Sequence, residues 1–214
     1  MTEIICIFHW VTWNTFLAII PVAAGYSIRY LTDKRRMRGI NLATVFLFFL
    51  GVIWLAFLPN TCYLLTEWRH FLNRVGHSGL YAKWTVDHGA ALDLMIYTLF
   101  YLCYSGIGVL TFTLAVRPIA RMLKARGATL WVWGIPFFLL MSVGVYLGLV
   151  LRFNSWDLFT RPATVWESVV NLWSRPAPSF FIISFAAFLW LLFIVMDIWV
   201  DGLIARWKSS LKEQ

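Results

Sequence analysis

The stretch Phe180-Phe-Ile-Ile-Ser-Phe-Ala-Ala-Phe-Leu-Trp-Leu-Leu-Phe-Ile-Val-Met-Asp-Ile-Trp-Val200 carries one ionisable side chain, Asp197, close to its end. As an α-helix rising about 1.5 Å per residue it matches the ~30 Å hydrocarbon core of a bilayer. Four more runs of this kind occur, at Ile4–Ile28, Ile40–Leu58, Ala90–Val116 and Leu130–Leu151. Backbone groups in lipid must pair within their own helix or within a closed barrel. The alternation that barrel strands require is absent. The expectation is therefore an all-α fold: a polytopic membrane helix bundle of about five transmembrane helices, forming a single transmembrane domain over residues 1–214.

Composition supports this. Of 214 residues, 61% are hydrophobic and 13% charged, against about 25% charged in a soluble domain. A water-soluble fold lacks the polar residues to cover so much apolar surface. The formal charge of +8 does not indicate a nucleic-acid partner, because the Lys and Arg sit in short segments between apolar runs. There they orient helices and meet anionic lipid. Cys6, Cys62 and Cys103 form no paired spacing and are read as small apolar packers.

The basic residues set an orientation. One side of the predicted bundle collects Arg29, Lys34, Arg35, Arg36, Arg38, Arg117, Arg121, Lys124, Arg126, Arg206, Lys208 and Lys212, which is 12. The other side has 6, namely Arg69, Arg74, Lys83, Arg152, Arg161 and Arg175, spread over longer segments. Positive residues concentrate in the cytoplasm, so the N-terminus is expected outside and the C-terminus inside. On the inner side, Asp33, Asp197 and Asp201 are expected to pair with nearby Arg and Lys. Trp54 and Trp190 lie deep in their spans and are expected to face neighbouring helices.

Two outer segments are too apolar for plain loops. In Pro59–Leu72 the side chains Leu64, Leu65, Trp68, Phe71 and Leu72 recur at helical spacing, with Glu67 and His70 on another face. This predicts an amphipathic helix lying in the interface. In the second segment, 155–173, Asn154 or Ser155 is placed to cap a helix whose first turn holds Asp157. Two outer interfacial amphipathic helices thus complete the predicted bundle.

The candidate chemistry lies in the outer half. Glu67, His70, Asp93, Arg152, Asn154 and Asp157 are assigned to one outer polar cluster, in which Asp93 finds an opposite charge. A carboxylate inside a span costs about 2.5–3.5 kcal/mol at helix centre and usually faces a bundle interior or a wet cavity. Glu67 and His70 form one Glu-x-x-His step, whereas a di-iron bundle site needs two such steps and two further glutamates. No metal is assigned, and no cofactor is identified. No nucleophile elbow, phosphate-cradling Gly-rich loop or His-Glu-x-x-His is present, so catalysis is left undecided. Gly144 and Gly148 make a Gly-xxx-Gly step in the fourth span, whose usual meaning is close helix packing.

Three stretches together carry a family resemblance. They are Phe57-Leu-Pro-Asn-Thr-Cys-Tyr-Leu-Leu-Thr-Glu67 with His70, the Asp93 segment, and Tyr146-Leu-Gly148 through Arg152-Phe-Asn-Ser-Trp-Asp157. In these the chain resembles the bacterial integral membrane family called Domain of Unknown Function 1361. The chain departs from the family in having Glu67 where an Asp is usual and Leu149 where an Arg is frequent. The resemblance implies a bacterial plasma-membrane location and the membrane architecture; it implies no activity. From the residues, the leading expectation is a multi-pass protein with an outward-facing polar site that binds or processes a small molecule or lipid headgroup. The alternative is a non-catalytic structural or assembly subunit of a larger membrane complex. Its partners are then the lipid bilayer and other membrane proteins or further copies of the chain.

Overall fold

In the computed structural model, the described residues are 2–34, 42–154, 156–172, 174 and 176–212, with the side chains of 2–8 set aside. Arg35, Arg36, Arg38, Ser155, Trp173, Arg175 and the Cys6 side chain lie outside the described residues. Every regular element among the described residues is a helix. The elements are α1 (Thr2–Lys34), α2 (Leu42–Thr66), α3 (Trp68–Ser78), α4 (Leu80–Lys83), α5 (His88–Ala125), α6 (Leu130–Leu149), α7 (Asp157–Thr160), α8 (Pro162–Leu172) and α9 (Pro176–Ser210).

Five helical stretches are long and apolar enough to cross a membrane; they take in α1 from His9 onward, α2, α5, α6 and α9. The protein is an all-α polytopic helix bundle. Helix α5, with 38 residues, is about 57 Å long at the standard rise. It outruns the hydrocarbon core, so its charged last turns lie beyond the apolar layer. Phe48, Phe49, Leu99, Leu102, Leu191 and Ile198 are exposed on the bundle's flanks, where lipid replaces water as the solvent.

α1, α2 and α5 pack on one another, while α6 packs on α9 and α2. One apolar core draws on all five spanning helices, from Ala24 and Ile28 through Leu58, Phe112, Val116, Phe138 and Val145 to Leu189 and Phe193. The joint between the first three helices is polar and tight. Trp54 Nε1 donates to the Ala115 carbonyl at 2.9 Å, and its ring stacks on Phe137. That carbonyl lies three residues before Pro118, whose ring disturbs the helix ladder of α5. A Cβ on Gly25 of α1 would stand 2.8 Å from the same oxygen, so α1 approaches this closely only because residue 25 is glycine.

Pro59 does not end α2, and here the structure departs from the sequence reading. The residues 59–66 continue the spanning helix, with Asn60, Thr61, Cys62 and Leu64 buried in the bundle. The amphipathic helix is α3 alone, laying Trp68 and Phe71 against the Tyr101 ring of α5, with Val75 buried. The physical reason is packing: the residues after the proline are buried against neighbouring helices, which holds them helical. Asn60 Nδ2 donates to Phe57 O at 3.1 Å and Thr61 Oγ1 to Leu58 O at 2.7 Å. These local bonds leave neither polar side chain unpaired in apolar surroundings.

Candidate functional site

At the end of the bundle where α2 gives way to α3, Glu67 occupies the one-residue step between the helices. Its side chain is 15% exposed, and its Oε2 lies 3.4 Å from His70 Nε2. The three-residue spacing puts both groups on one helical face. The Trp10 ring of α1 meets the His70 ring edge-on with centroids 5.3 Å apart and also touches Tyr104 of α5. Glu67 is within electrostatic reach of Tyr101 and Tyr104. Glu67 is therefore recessed beside aromatic rings of α1 and α5, while His70 at its rim is half exposed.

Cations approach from the α6 side. Arg69 Nη1 donates to the Leu149 carbonyl, the last of α6, at 3.4 Å, which ties α3 to the negative end of the α6 dipole. Past α6 the chain folds back through Leu151 N–H to Tyr146 O and Phe153 N–H to Leu147 O. Arg152, between them, has φ 59°, and no other non-glycine among the described residues has positive φ. Glycine usually holds such a helix-ending position, and an L-residue there costs about 1 kcal/mol. Arg152 is exposed, within electrostatic reach of His70, and makes no hydrogen bond or ion pair among the described residues.

Asn154 and Asp157 belong to a different arrangement. Asp157 is buried and accepts from the Asn154 backbone N–H at 2.7 Å and from Arg161 Nη2 at 2.9 Å. The Asn154 N–H and then the Arg161 guanidinium hold its carboxyl below the usual carboxylate range. The capping expected of Asn154 runs in reverse, because the aspartate side chain caps the backbone of Asn154 and closes the turn into α7. The expected helix over 155–173 is two helices, α7 and α8, with Pro162 at the first position of α8, where a missing N–H is harmless. Asp93 stands apart from both groups. It is exposed on α5, with no hydrogen bond or ion pair among the described residues.

Gly144 and Gly148 face α2. A Cβ on Gly148 would fall 1.8 Å from the Tyr63 hydroxyl, and one on Gly144 would fall 3.0 Å from Pro59 Cγ. Tyr63 lies over this glycine face and its hydroxyl donates to Gly144 O at 3.3 Å. With Asn154 and Phe153 these residues line a cavity of about 50 Å³, room for little more than water. A larger cleft of about 450 Å³ lies nearby between α6, α8 and α9, lined by Tyr146, Ser168, Asn171 and Ser174.

Three contributors were not legible in the sequence reading. They are Trp10, Tyr104 and Gly108, none of which belongs to a charged or metal-ligating pattern. A Cβ on Gly108 would come 2.7 Å from Leu64 Cβ and 3.1 Å from Thr61 O, so Gly108 sets the approach of α5 to α2 beneath Glu67. The Gly106-Ile-Gly108 pair of small residues was the available signal. Among the described residues no three His, Cys, Asp or Glu side chains gather into a metal-holding group.

No curated protein and no solved structure matches the chain. The family described as protein of unknown function (DUF1361) matches over residues 13–192, a stretch that contains Glu67, His70, Asp93, Arg152, Asn154 and Asp157. The chain belongs to this family.

Proposed function

We propose that the protein works as one transmembrane domain that binds a small anionic molecule or lipid headgroup at its Glu67–His70 end. The observation that carries this reading is Arg152: an exposed guanidinium on a left-handed backbone, without an acidic partner among the described residues, beside the Glu67–His70 pair. A cation held at conformational cost next to a half-satisfied acid–imidazole pair suits an incoming anion, with the rings of Trp10 and Tyr104 alongside. Native mass spectrometry of the detergent-purified chain tests this. Wild type should retain a small molecule or lipid that Arg152→Leu loses without unfolding; equal retention by the variant would defeat the proposal.

The same reading puts this end outside the bacterial plasma membrane and the C-terminus in the cytoplasm, following the distribution of Lys and Arg. A cytoplasm-dependent fluorescent reporter inserted at Gly79 should stay dark, and one fused after Gln214 should fluoresce. The opposite pattern would reverse the orientation.

One observation favours the second reading, a subunit of a larger assembly. Asp93 lies about 7.5 Å into α5 at 1.5 Å per residue, among exposed Leu92, Met95 and Ile96. A carboxylate on a lipid-facing surface is costly unless a partner covers it. Cross-linking at Leu92→Cys that captures a second copy or another membrane protein, and is abolished by Asp93→Leu, would favour this reading over the first.

A further inference from the structure

At the opposite end of the bundle, the last turns of α5, the connection 126–129, the first turn of α6 and the later part of α9 enclose a cleft of about 520 Å³. This is within the range of small-ligand sites, ~300–1,000 Å³. Its walls differ in character. Leu130, Trp133 and Phe193 line one part, and Arg121, Lys124, Asp197 and Asp201 line the other. The two aspartates are already occupied. Asp197 Oδ1 lies 2.8 Å from Arg117 Nε and 3.3 Å from Arg121 Nη2, and Asp201 is in contact with both guanidiniums. The quartet is neutral, and its carboxylates are not free to hold a cation.

What remains is positive. The Lys124 side chain is exposed, with no ion pair or hydrogen bond among the described residues. Thr129, the N-cap of α6, makes no side-chain cap bond; its carbonyl takes the Val132 and Trp133 N–H groups, which leaves those of Leu130 and Trp131 without an intrahelical acceptor. A helix N-terminus, Lys124 and the outer edge of Arg121 thus converge on a cleft whose remaining wall is aromatic and aliphatic. The cleft lies where α5 leaves the apolar layer.

We propose that this cleft binds an anionic phospholipid, its phosphate against Lys124 and the α6 N-terminus and its upper acyl chain against Trp133 and Phe193. The pairing of an anion-seeking rim with an apolar wall selects an amphiphile, as basic pockets between spanning helices do for anionic headgroups. The site is separate from the Glu67–His70 end and does not depend on the function proposed there.

The test is retention of phosphatidylglycerol by the detergent-purified full chain, followed by native mass spectrometry against phosphatidylcholine and inorganic phosphate. Wild type should prefer phosphatidylglycerol over phosphatidylcholine. Lys124→Glu, at an exposed position, should weaken that retention at least tenfold, while Lys208→Glu, a matched charge change outside the cleft, leaves it intact. Equal retention by wild type and Lys124→Glu, or equal loss from both variants, would overturn the site. Displacement of the lipid by inorganic phosphate at equal concentration would overturn the lipid assignment in favour of a free anion.

Discussion

The two ends of the bundle handle buried charge in opposite ways. At the Arg117 end each carboxylate meets two guanidiniums, and the contacts join α5 to α9 across some 80 residues of chain. At the His70 end Glu67 is sunk deeper than Asp197 or Asp201, 15% exposed against 28% and 49%, yet its partner is one imidazole three residues away. That pair links nothing across the fold. Deep burial with weak pairing is a poor arrangement for stability, and departures of this sort collect where a protein keeps polar groups for a ligand. The comparison separates a charge cluster that fastens helices from one that fastens none.

Removing a guanidinium from the Arg117 end should therefore have the largest effect on stability. Arg117 is 12% exposed and touches both aspartates, so Arg117→Leu leaves two carboxylates sharing Arg121. Breaking a buried pair costs about 3–5 kcal/mol and an exposed one less than about 1. This half-buried cluster should lose about 2–3 kcal/mol on that scale. Thermal unfolding in detergent checks it, and Asp197→Asn combined with Arg117→Leu should recover part of the loss. A loss no greater than that of Glu67→Gln would erase the contrast between the ends.

Close packing beneath the His70 end comes next, and it also shows what the sequence could reveal. The five spans were legible because lipid solvation imposes length and hydropathy on every residue of a run. Gly144 and Gly148 were visible as a spaced motif, whereas Gly25 and Gly108 were not. Their role is fixed by a neighbour far away in the chain, namely Ala115 O for Gly25 and Leu64 Cβ for Gly108. The run of helix through Pro59 is hidden for the same reason, since Asn60, Thr61, Cys62 and Leu64 are held by burial against neighbouring helices, which hydropathy does not register. Gly108→Ala should cost about 1–3 kcal/mol, the usual range for overpacking, because its Cβ meets main chain and a Cβ. Gly148→Ala should cost less, because the Tyr63 ring that it meets can swing aside. Gly51→Ala, with nothing within 4 Å of the added Cβ, is the control. Equal losses at all three positions, measured by thermal unfolding, would mean that helix approach is not limited by these glycines.

Among the six candidates of the polar cluster, Asp157 differs from Glu67 in kind. Its carboxyl is held below its ordinary pKa by the Asn154 N–H and by Arg161. A depressed folded-state value means that the carboxylate's contribution is complete above the ordinary carboxylate range, near pH 4, and is lost as pH falls through the lower folded value. The α7 turn should accordingly open only under strong acid. Asp157→Asn should open it at neutral pH, with faster amide exchange at Asn154 and Arg161. Unchanged exchange in that variant would show that the turn does not rest on the carboxylate. The six candidates could be assigned to one side from the sequence. Which of them touch could not, because that depends on how the turn after Leu149 folds back, and a left-handed arginine gives no compositional sign.

Glu67→Gln should have the smallest effect on stability and the largest on binding. The amide keeps the shape and one acceptor, and the interaction that it weakens is a 3.4 Å contact with a His70 side chain that is 48% exposed. Pairs of that kind contribute less than about 1 kcal/mol, so thermal unfolding should barely move. Replacing the carboxylate with an amide relieves the burial of a charge, which offsets part of even that small loss. If the recess serves a ligand, the effect appears elsewhere: the acid orients His70, and His70 faces Arg152 within electrostatic reach. Retention of the co-purified molecule should then fall in Glu67→Gln and in Arg152→Leu alike, and the double variant should lose no more than the worse single one, as expected of residues acting on one bound species. Additive losses would place the two residues at separate sites. A marked stability loss in Glu67→Gln with unchanged retention would make this end a fastening like the other.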